Sequence, residues 1–172
     1  MTTQFDNLRT TPWSPAFEWC GDILAVALQI NLWHEDFPQR VPATVRALKR
    51  LRSEMVSVDF GAHALRNQRL LGIHKTIFGD TSFGGQWRRV NVYIGDHTPP
   101  PWREVSHYMA TLERAYYFNS WHRPALQHFL DWYRDFETIH PFQDGNGRVG
   151  GVVIAAYSHL LHPTSGWLGP NQ

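Results

Sequence analysis

One short loop near the C-terminal end of the sequence brings together the residue types that phosphate chemistry requires. It reads His140-Pro-Phe-Gln-Asp-Gly-Asn-Gly-Arg148. An imidazole can accept a proton from a hydroxyl group at neutral pH, so His140 is a candidate general base. Mg²⁺ takes one or two carboxylates and completes its shell with water and phosphate oxygens. Asp144 is therefore the candidate metal ligand.

The glycines of this loop predict an anion-binding turn. The loop leads into a helix, whose first backbone N–H groups are unpaired and carry the positive end of the helix dipole. Gly145, Asn146 and Gly147 place little bulk between those groups and a phosphate. Arg148 adds a permanent charge with paired donors for phosphate oxygens. Phe142 is expected to anchor the loop, and we count it with these residues as part of the nucleotide-binding site.

None of these residues is a specific signal when it is taken alone. A Gly-Asn-Gly sequence is commonly just a turn, and a histidine beside a proline is more often structural than catalytic. Base, metal ligand and anion cradle together are a complete set for nucleophilic attack on a phosphate. The loop therefore predicts a site for nucleophilic attack on a phosphate group.

The elements that must position this loop are mainly helices. Apolar residues at helical spacing predict helices at about 16–33, 43–56, 60–78, 102–118, 123–138 and 148–161. The last of these is apolar nearly all round, as a central buried helix would be. Residues 1–15 are expected to be a flexible lead-in and the tail from residue 162 a short coil. Residues 16–172 then form a single domain.

Residues 80–98 have a different character and predict a β-hairpin or extended flap, the only β element expected in the chain. Apolar and polar residues alternate between Gln86 and Ile94, as they do in a strand. Gly95-Asp96 can turn the chain, and Thr98-Pro-Pro-Pro101 forbids an immediate helix.

The loop resembles the signature of the Fic (filamentation induced by cAMP) family, His-Pro-Phe-x-Asp/Glu-Gly-Asn-Gly-Arg-x-x-Arg. The resemblance extends to Gly85-Gln-Trp-Arg-Arg-Val-Asn-Val-Tyr-Ile-Gly95 with Thr98-Pro-Pro-Pro101, which is similar to the flap and Pro-rich connection of that family. Phe136-Glu-Thr-Ile139 is similar to its lead-in helix. The resemblance covers roughly residues 60–162, and residues 1–55 can be interpreted only as additional helices.

This resemblance implies an all-α, Fic-like helical bundle with a single β-hairpin flap. It also implies protein adenylylation, in which AMP moves from ATP to a Ser, Thr or Tyr hydroxyl with Mg²⁺ present. His140 would deprotonate the hydroxyl, Asp144 would hold Mg²⁺, and the turn with Arg148 would receive the phosphates. The flap would hold the target protein by strand-to-strand hydrogen bonds. Its target-binding residues would be Trp87, Arg88, Arg89, Val90, Asn91, Val92, Tyr93 and Ile94.

The sequence departs from the family signature at its last position, where Gly151 stands in place of arginine. That arginine is associated in the family with the terminal phosphate of ATP, so its loss would remove a charge-assisted contact of about 1.5–3 kcal/mol. Doc toxins also lack it and transfer the terminal phosphate, although they usually depart from Gly-Asn-Gly. AMP transfer therefore ranks first, and a Doc-like phosphotransferase or other nucleotidyl transfer second. A non-catalytic module that binds a nucleotide or a protein is the third alternative.

The inhibitory helix of the family has no good counterpart here. Ser14-Pro-Ala-Phe-Glu18 is the nearest match, but Trp19 follows where Gly or Asn is expected. We interpret Phe17 and Trp19 as core residues and Glu18 as solvent-facing. Self-inhibition is therefore not expected, and control by a separate antitoxin-like chain stays open.

The composition limits the possible partners and location. A net charge of +1 over 172 residues gives no field that would argue for nucleic acid or an acidic membrane. No apolar stretch approaches the roughly 20 residues that span a bilayer. The single Cys20 cannot form an internal disulfide, and the N-terminus lacks a signal-peptide pattern. We expect a cytoplasmic protein, with delivery as a secreted effector left open.

Overall fold

Helices dominate the part of the chain that this computed structural model describes, residues 16–57, 65–117 and 125–171. Within those residues the α-helices are α1 (Ile23–Asn31), α2 (Val41–Ser57), α3 (Asn67–Phe78), α4 (Val105–Ala115), α5 (Leu126–Ile139) and α6 (Asn146–Leu161). A short 3-10 turn, Trp102–Glu104, precedes α4. The predicted all-α fold class is confirmed. The expected lead-in over residues 1–15 and the starts of two predicted helices, at 60–64 and 123–124, lie outside the described residues.

Helix α6 is the centre of the molecule, as its apolar sequence predicts. Its residues from Val149 to Ser158 are buried, and α1, α2, α3 and α5 all pack against it. Gly150 lets α5 approach closely, because a Cβ at this position would lie 2.3 Å from the ring of Tyr133. The loop that precedes α6 is therefore built on the most buried helix of the fold.

Two strands join the ends of the described chain, and they correct two predictions. Strand β1 (Ala16–Cys20) pairs antiparallel with β2 (Trp167–Asn171). The predicted helix at 16–33 is wrong over its first part, because Asp22 caps a later start by accepting a hydrogen bond from the Ala25 amide at 2.8 Å. The tail from residue 162 is not simply coil, and the flap is not the only β element. A pairing partner this distant in sequence leaves no local signal.

The predicted flap is extended, but it does not form a paired hairpin. Residues 87–93 are not in a strand, and a single bridge joins Ile94 to His97 across the predicted turn at Gly95. The expected alternation of faces is also incomplete, since Val90 and Ile94 are exposed whereas Val92 is half-buried. The reason is that the chain runs along the protein surface and bonds to other segments instead of to a sister strand.

The sequence-based prediction for Trp19 also needs correction. Its side chain is 46% exposed, so the prediction of a core position is wrong, whereas Glu18 faces solvent as expected. Phe17 is half-buried and meets the edge of the Tyr133 ring at 5.5 Å. Since Ala16–Cys20 is a surface strand and not a core helix, it buries less of its apolar surface. Among the described helices, none is both long and apolar enough to cross a membrane.

Candidate active site

His140 ends helix α5 in a conformation that few residues adopt. Its φ is 51° and its ψ is 62°, in the left-handed region, while its amide still donates to the Phe136 carbonyl at 2.9 Å. The Nε atom of Arg88 donates to the His140 carbonyl at 2.8 Å. The ring Nδ1 lies 3.2 Å from Oε2 of Glu137 on the last turn of α5. The candidate base is therefore held through its backbone, and its ring nitrogen faces the Glu137 carboxylate.

The glycine turn has the geometry that its sequence predicts. Gly145 has φ +84°, and a Cβ there would lie 2.2 Å from the ring of Phe78, so only glycine fits. The first helical bond of this end runs from the Val149 amide to the Gly145 carbonyl, at 2.9 Å. The amides of residues 146–148 precede that bond and form the N-terminal turn of α6. This turn is the predicted anion cradle.

Asn146 and Phe142 support the loop from inside. The Asn146 side chain accepts from the Phe142 amide at 2.7 Å and donates to the Phe142 carbonyl at 2.9 Å. Both of its polar groups are thus used within the loop, which leaves its backbone amide for a ligand. Phe142 has no exposed surface and stacks on His74 with ring centroids 3.9 Å apart. The predicted anchor is confirmed, but in this structure the Phe142 ring is not accessible to a nucleotide.

Arg148 is buried, with its guanidinium already paired. Its side chain is 1% exposed, with Nη1 donating to Asp36 at 2.6 Å and Nη2 to Asp144 at 3.1 Å. The ring of Phe78 covers the guanidinium at 4.5 Å. A phosphate that contacts Arg148 must therefore replace or join the Asp36 carboxylate, which the sequence did not place at the site.

The connection between α1 and α2 contributes two side chains to this site. Burial raises the pKa of Asp36, but hydrogen bonds from Arg40 and Arg148 outweigh it and hold that pKa below its ordinary value. Burial, together with the charge of Arg148, lowers the pKa of His34 against the opposing effects of Asp144, Asp36 and Glu137. These two side chains lie between the first two predicted helices, in a segment to which the sequence assigned no role.

Asp144 fits the requirements of a magnesium ligand. Its side chain is 51% exposed and lies at the entrance to the α6 turn, where phosphate oxygens and water could supply the other ligands. Its Oδ1 also accepts from the Gly145 amide at 2.6 Å. In the described part of the chain, no group of three or more His, Cys, Asp or Glu side chains could hold a metal by itself. Asp144 therefore fits an ion that is also bound by the phosphates of a nucleotide.

Arg88 corrects the interpretation of the flap. The sequence suggested that it contacts a target, but its side chain is 2% exposed and donates to the carbonyls of His140, Val90 and Pro100. It therefore fastens the flap to the candidate base. Trp87 is half-buried and lies 5.0 Å from the Phe142 ring, and the side chains of Arg89, Val90, Asn91, Tyr93 and Ile94 are exposed.

Gly151 lies on the side of α6 that packs against other elements. A Cβ at this position would be 3.2 Å from Ile30 on α1 and 3.3 Å from Pro170 on β2. A larger residue at this position would press on the side chains of Ile30 and Pro170. The glycine therefore allows α1 and β2 to cover α6.

Some of the site residues that the sequence analysis missed have a recognisable sequence signal, and others have none. Glu137 lies three positions before His140 on a helix, and this spacing places both on one face. His74 and Asp36 gave no comparable signal, since Asp36 is separated from Arg148 by 112 positions. A groove of about 580 Å³ between α2 and α3 includes no residue of the loop. It lacks a comparable base beside an anion cradle, so the His140–Arg148 loop is the better candidate site.

Comparison with known proteins gives a consistent result. The family model described as Fic/DOC matches residues 64–158. The chain is 33% identical over 93 residues to the "Protein adenylyltransferase Fic" of Aedes aegypti, covering 49% of this chain and 18% of that protein. It is 35% identical over 91 residues to the protein of the same name in Drosophila persimilis, covering 49% and 17%. The chain thus spans less than a fifth of the length of these relatives.

Solved structures support the same fold. A Fic domain containing signaling protein from Bacteroides thetaiotaomicron superposes with a TM-score of 0.56 at 19% identity, covering 70% of this chain and 47% of that one. A Fic family protein from Desulfovibrio desulfuricans has a TM-score of 0.52 at 26% identity, with coverage of 80% and 42%.

Proposed function

Because this chain belongs to the Fic/DOC family, we propose that it is a protein adenylyltransferase that moves AMP from ATP to a hydroxyl group of a target protein. The observation that carries the proposal is the position of His140 at the end of α5, one short loop before the N-terminal turn of α6. Relatives named as adenylyltransferases favour AMP as the transferred group.

The reaction follows from what each part of the site can do. His140 takes the proton of the target hydroxyl as its oxygen forms a bond to the α-phosphorus of ATP. The bond from that phosphorus to the bridging oxygen breaks, and pyrophosphate leaves. The amides of the α6 turn and Arg148 stabilise the negative charge on the phosphates. Asp144 would hold Mg²⁺, whose chemistry is to neutralise phosphate charge and orient the phosphate chain.

The target would be held by the exposed flap. The flap side chains from Arg89 to Ile94 are mainly exposed, and much of its backbone is free of strand pairing. An extended segment of the target could add to it as a strand. Arg88 would transmit that contact to the base, because it donates to the carbonyls of both Val90 and His140.

The proposal is tested with ATP labelled in parallel at the α and the γ phosphate, incubated with a cell lysate and with His140→Ala as the control. We expect label on protein from the α position only. Loss of the general base should reduce the rate by about 10²–10⁴-fold. A His140→Ala variant as active as the parent would remove the assigned base.

Transfer of the terminal phosphate is the second candidate, and Gly151 favours it. Gly151 supplies no cation, so the γ-phosphate lacks one anchor that the family signature provides. Label from the γ position only would select this alternative. Nucleotide binding without any labelled product would select a non-catalytic module.

A further inference from the structure

We propose that Glu137 is a positioning residue that fixes the ring of His140 through Nδ1, so that Nε2 faces the target hydroxyl. This inference deepens the proposed function and rests on it for its catalytic meaning. The contact between the His140 ring and the Glu137 carboxylate can be tested without any reaction, because it determines which ring nitrogen carries the proton.

The backbone brings the two side chains together. Glu137 lies in the last turn of α5, and the left-handed conformation of His140 turns the chain at the helix end. The backbone of His140 is held on both sides, because its amide donates to Phe136 and its carbonyl accepts from Arg88. These contacts fix the backbone of His140 and therefore the point from which its side chain projects.

Nδ1 of His140 and most of the Glu137 side chain are buried. Nδ1 of His140 has no exposed surface, although the side chain as a whole is 21% exposed. The exposed part therefore belongs to the rest of the side chain, which includes Nε2. Glu137 is 9% exposed, and its Oε1 is buried without a hydrogen-bond partner. The ring and the carboxylate thus meet on the inner side of the site.

The separation of 3.2 Å lies within ion-pair distance, but the two groups are not aligned as a hydrogen bond in this structure. A small rotation of either side chain would align them, and bonds of this kind often tighten only when substrate binds. Among the described residues, His140 is the one group of opposite charge type within ion-pair distance of Glu137. A buried carboxylate without a partner is costly, so this contact is the favourable arrangement.

The contact decides which nitrogen acts. An ionised carboxylate only accepts hydrogen bonds, so Nδ1 must carry the proton of the neutral ring. The lone pair is then on Nε2, where it can take the proton of the hydroxyl. The positive ring that results is stabilised by the adjacent carboxylate, as an aspartate stabilises the histidine of a serine-protease triad. The carboxylate itself touches neither the nucleotide nor the target.

The decisive experiment is nitrogen-15 NMR of the histidine rings near neutral pH, with the His140 signals assigned by their loss in His140→Ala. We expect the Nδ1–H form in the wild-type protein. Glu137→Gln, of the same size, should shift the ring toward the Nε2–H form. The control Glu18→Gln lies on the exposed strand β1 and should leave the signals unchanged. A wild-type ring in the Nε2–H form overturns the proposal, whether or not the variant folds.

Steady-state kinetics provides the second measurement. In the labelled-AMP assay, Glu137→Gln should lower kcat by about 10- to 100-fold and leave the KM for ATP nearly unchanged, because the carboxylate does not touch the nucleotide. An unchanged kcat, or a loss confined to KM, would contradict the positioning role. If the wild-type protein transfers no AMP, the proposed function fails, while the NMR result still decides which nitrogen carries the proton.

Discussion

At the scale of single residues, the Asp36 carboxylate and a phosphate oxygen would compete for the guanidinium of Arg148. Asp36 and Asp144 neutralise its guanidinium in the structure, and Phe78 covers one face of it. A phosphate oxygen carries the same charge as the Asp36 carboxylate and could bind at the same Nη1 position. Asp36 comes from the connection before α2, outside the residues that match the family. If the chain binds a nucleotide as proposed, its affinity should therefore depend on a residue that the family signature does not contain.

Replacing Asp36 with asparagine should strengthen nucleotide binding. The variant keeps the size of the side chain but removes the charge that competes for Arg148. If one charge-assisted contact of about 1.5 kcal/mol becomes available to phosphate, the Kd for ATP should fall by about tenfold. Isothermal titration calorimetry with Mg²⁺ and ATP measures this change.

Asp80→Asn is the matched control for that experiment. Asp80 contacts Arg40, as Asp36 does, but in the structure it makes no contact with Arg148. It should leave the Kd for ATP unchanged. Equal effects of the two substitutions, or a weaker ATP complex with Asp36→Asn, would show that Arg148 does not use the Asp36 position for phosphate.

At the scale of elements, the loop is held by the close contact of α5 with α6. His140 belongs to the end of one helix and the anion cradle to the start of the other. Gly150 sets their distance, because the Tyr133 ring occupies the space in which a Cβ would lie. A change at this contact should move the base relative to the cradle without altering either group.

Gly150→Ala should therefore destabilise the protein by about 1–3 kcal/mol, since the buried Tyr133 ring must shift. Gly72→Ala is the comparison, because it is an exposed position inside α3 with no atom within 4 Å of an added Cβ. That substitution should instead stabilise by up to about 1 kcal/mol through helix propensity. Urea unfolding measures both. Similar effects at the two positions would contradict the packing described between α5 and α6.

At the scale of the whole molecule, His74 joins three separate parts. It belongs to α3, its Nδ1 accepts from the Gly85 amide at the base of the flap at 2.9 Å, and its Nε2 donates to the Asp144 carbonyl at 3.0 Å. Both ring nitrogens are thus used by a neutral ring. Burial lowers the pKa of His74 to about 4, although the contact with Asp144 opposes this shift.

This arrangement makes the stability of the protein dependent on pH. The unfolded chain binds a proton at His74 below about pH 6.5, whereas the folded protein does so only near pH 4. The free energy of unfolding should therefore fall as the pH is lowered from 6.5 to 4. At roughly 1.4 kcal/mol per pH unit, the loss attributable to His74 is about 3 kcal/mol. His34, whose pKa is also lowered, adds to the fall with the same sign.

Urea unfolding at a series of pH values tests this dependence, with His74→Gln as the comparison. Glutamine can both donate and accept but does not titrate, so the fall between pH 6.5 and pH 4 should become smaller. The lowered pKa of Asp36 changes the free energy of unfolding only below about pH 3.8, which is the ordinary pKa of aspartate and lies outside this range. An equally steep fall in the variant would show that His74 is not the source.

The amino-acid sequence by itself determined the helical class, the central helix α6 and the glycine turn that opens it. These features are local: an apolar run specifies a buried helix, and Gly145 is needed where φ is positive and Phe78 leaves no room. The tertiary structure alone decided the pairing of β1 with β2, the burial of Arg88, and the contacts of Asp36 with Arg148 and of His74 with the loop. Such contacts join residues far apart in the chain, and their energies depend on distance and burial, which neither composition nor periodicity records.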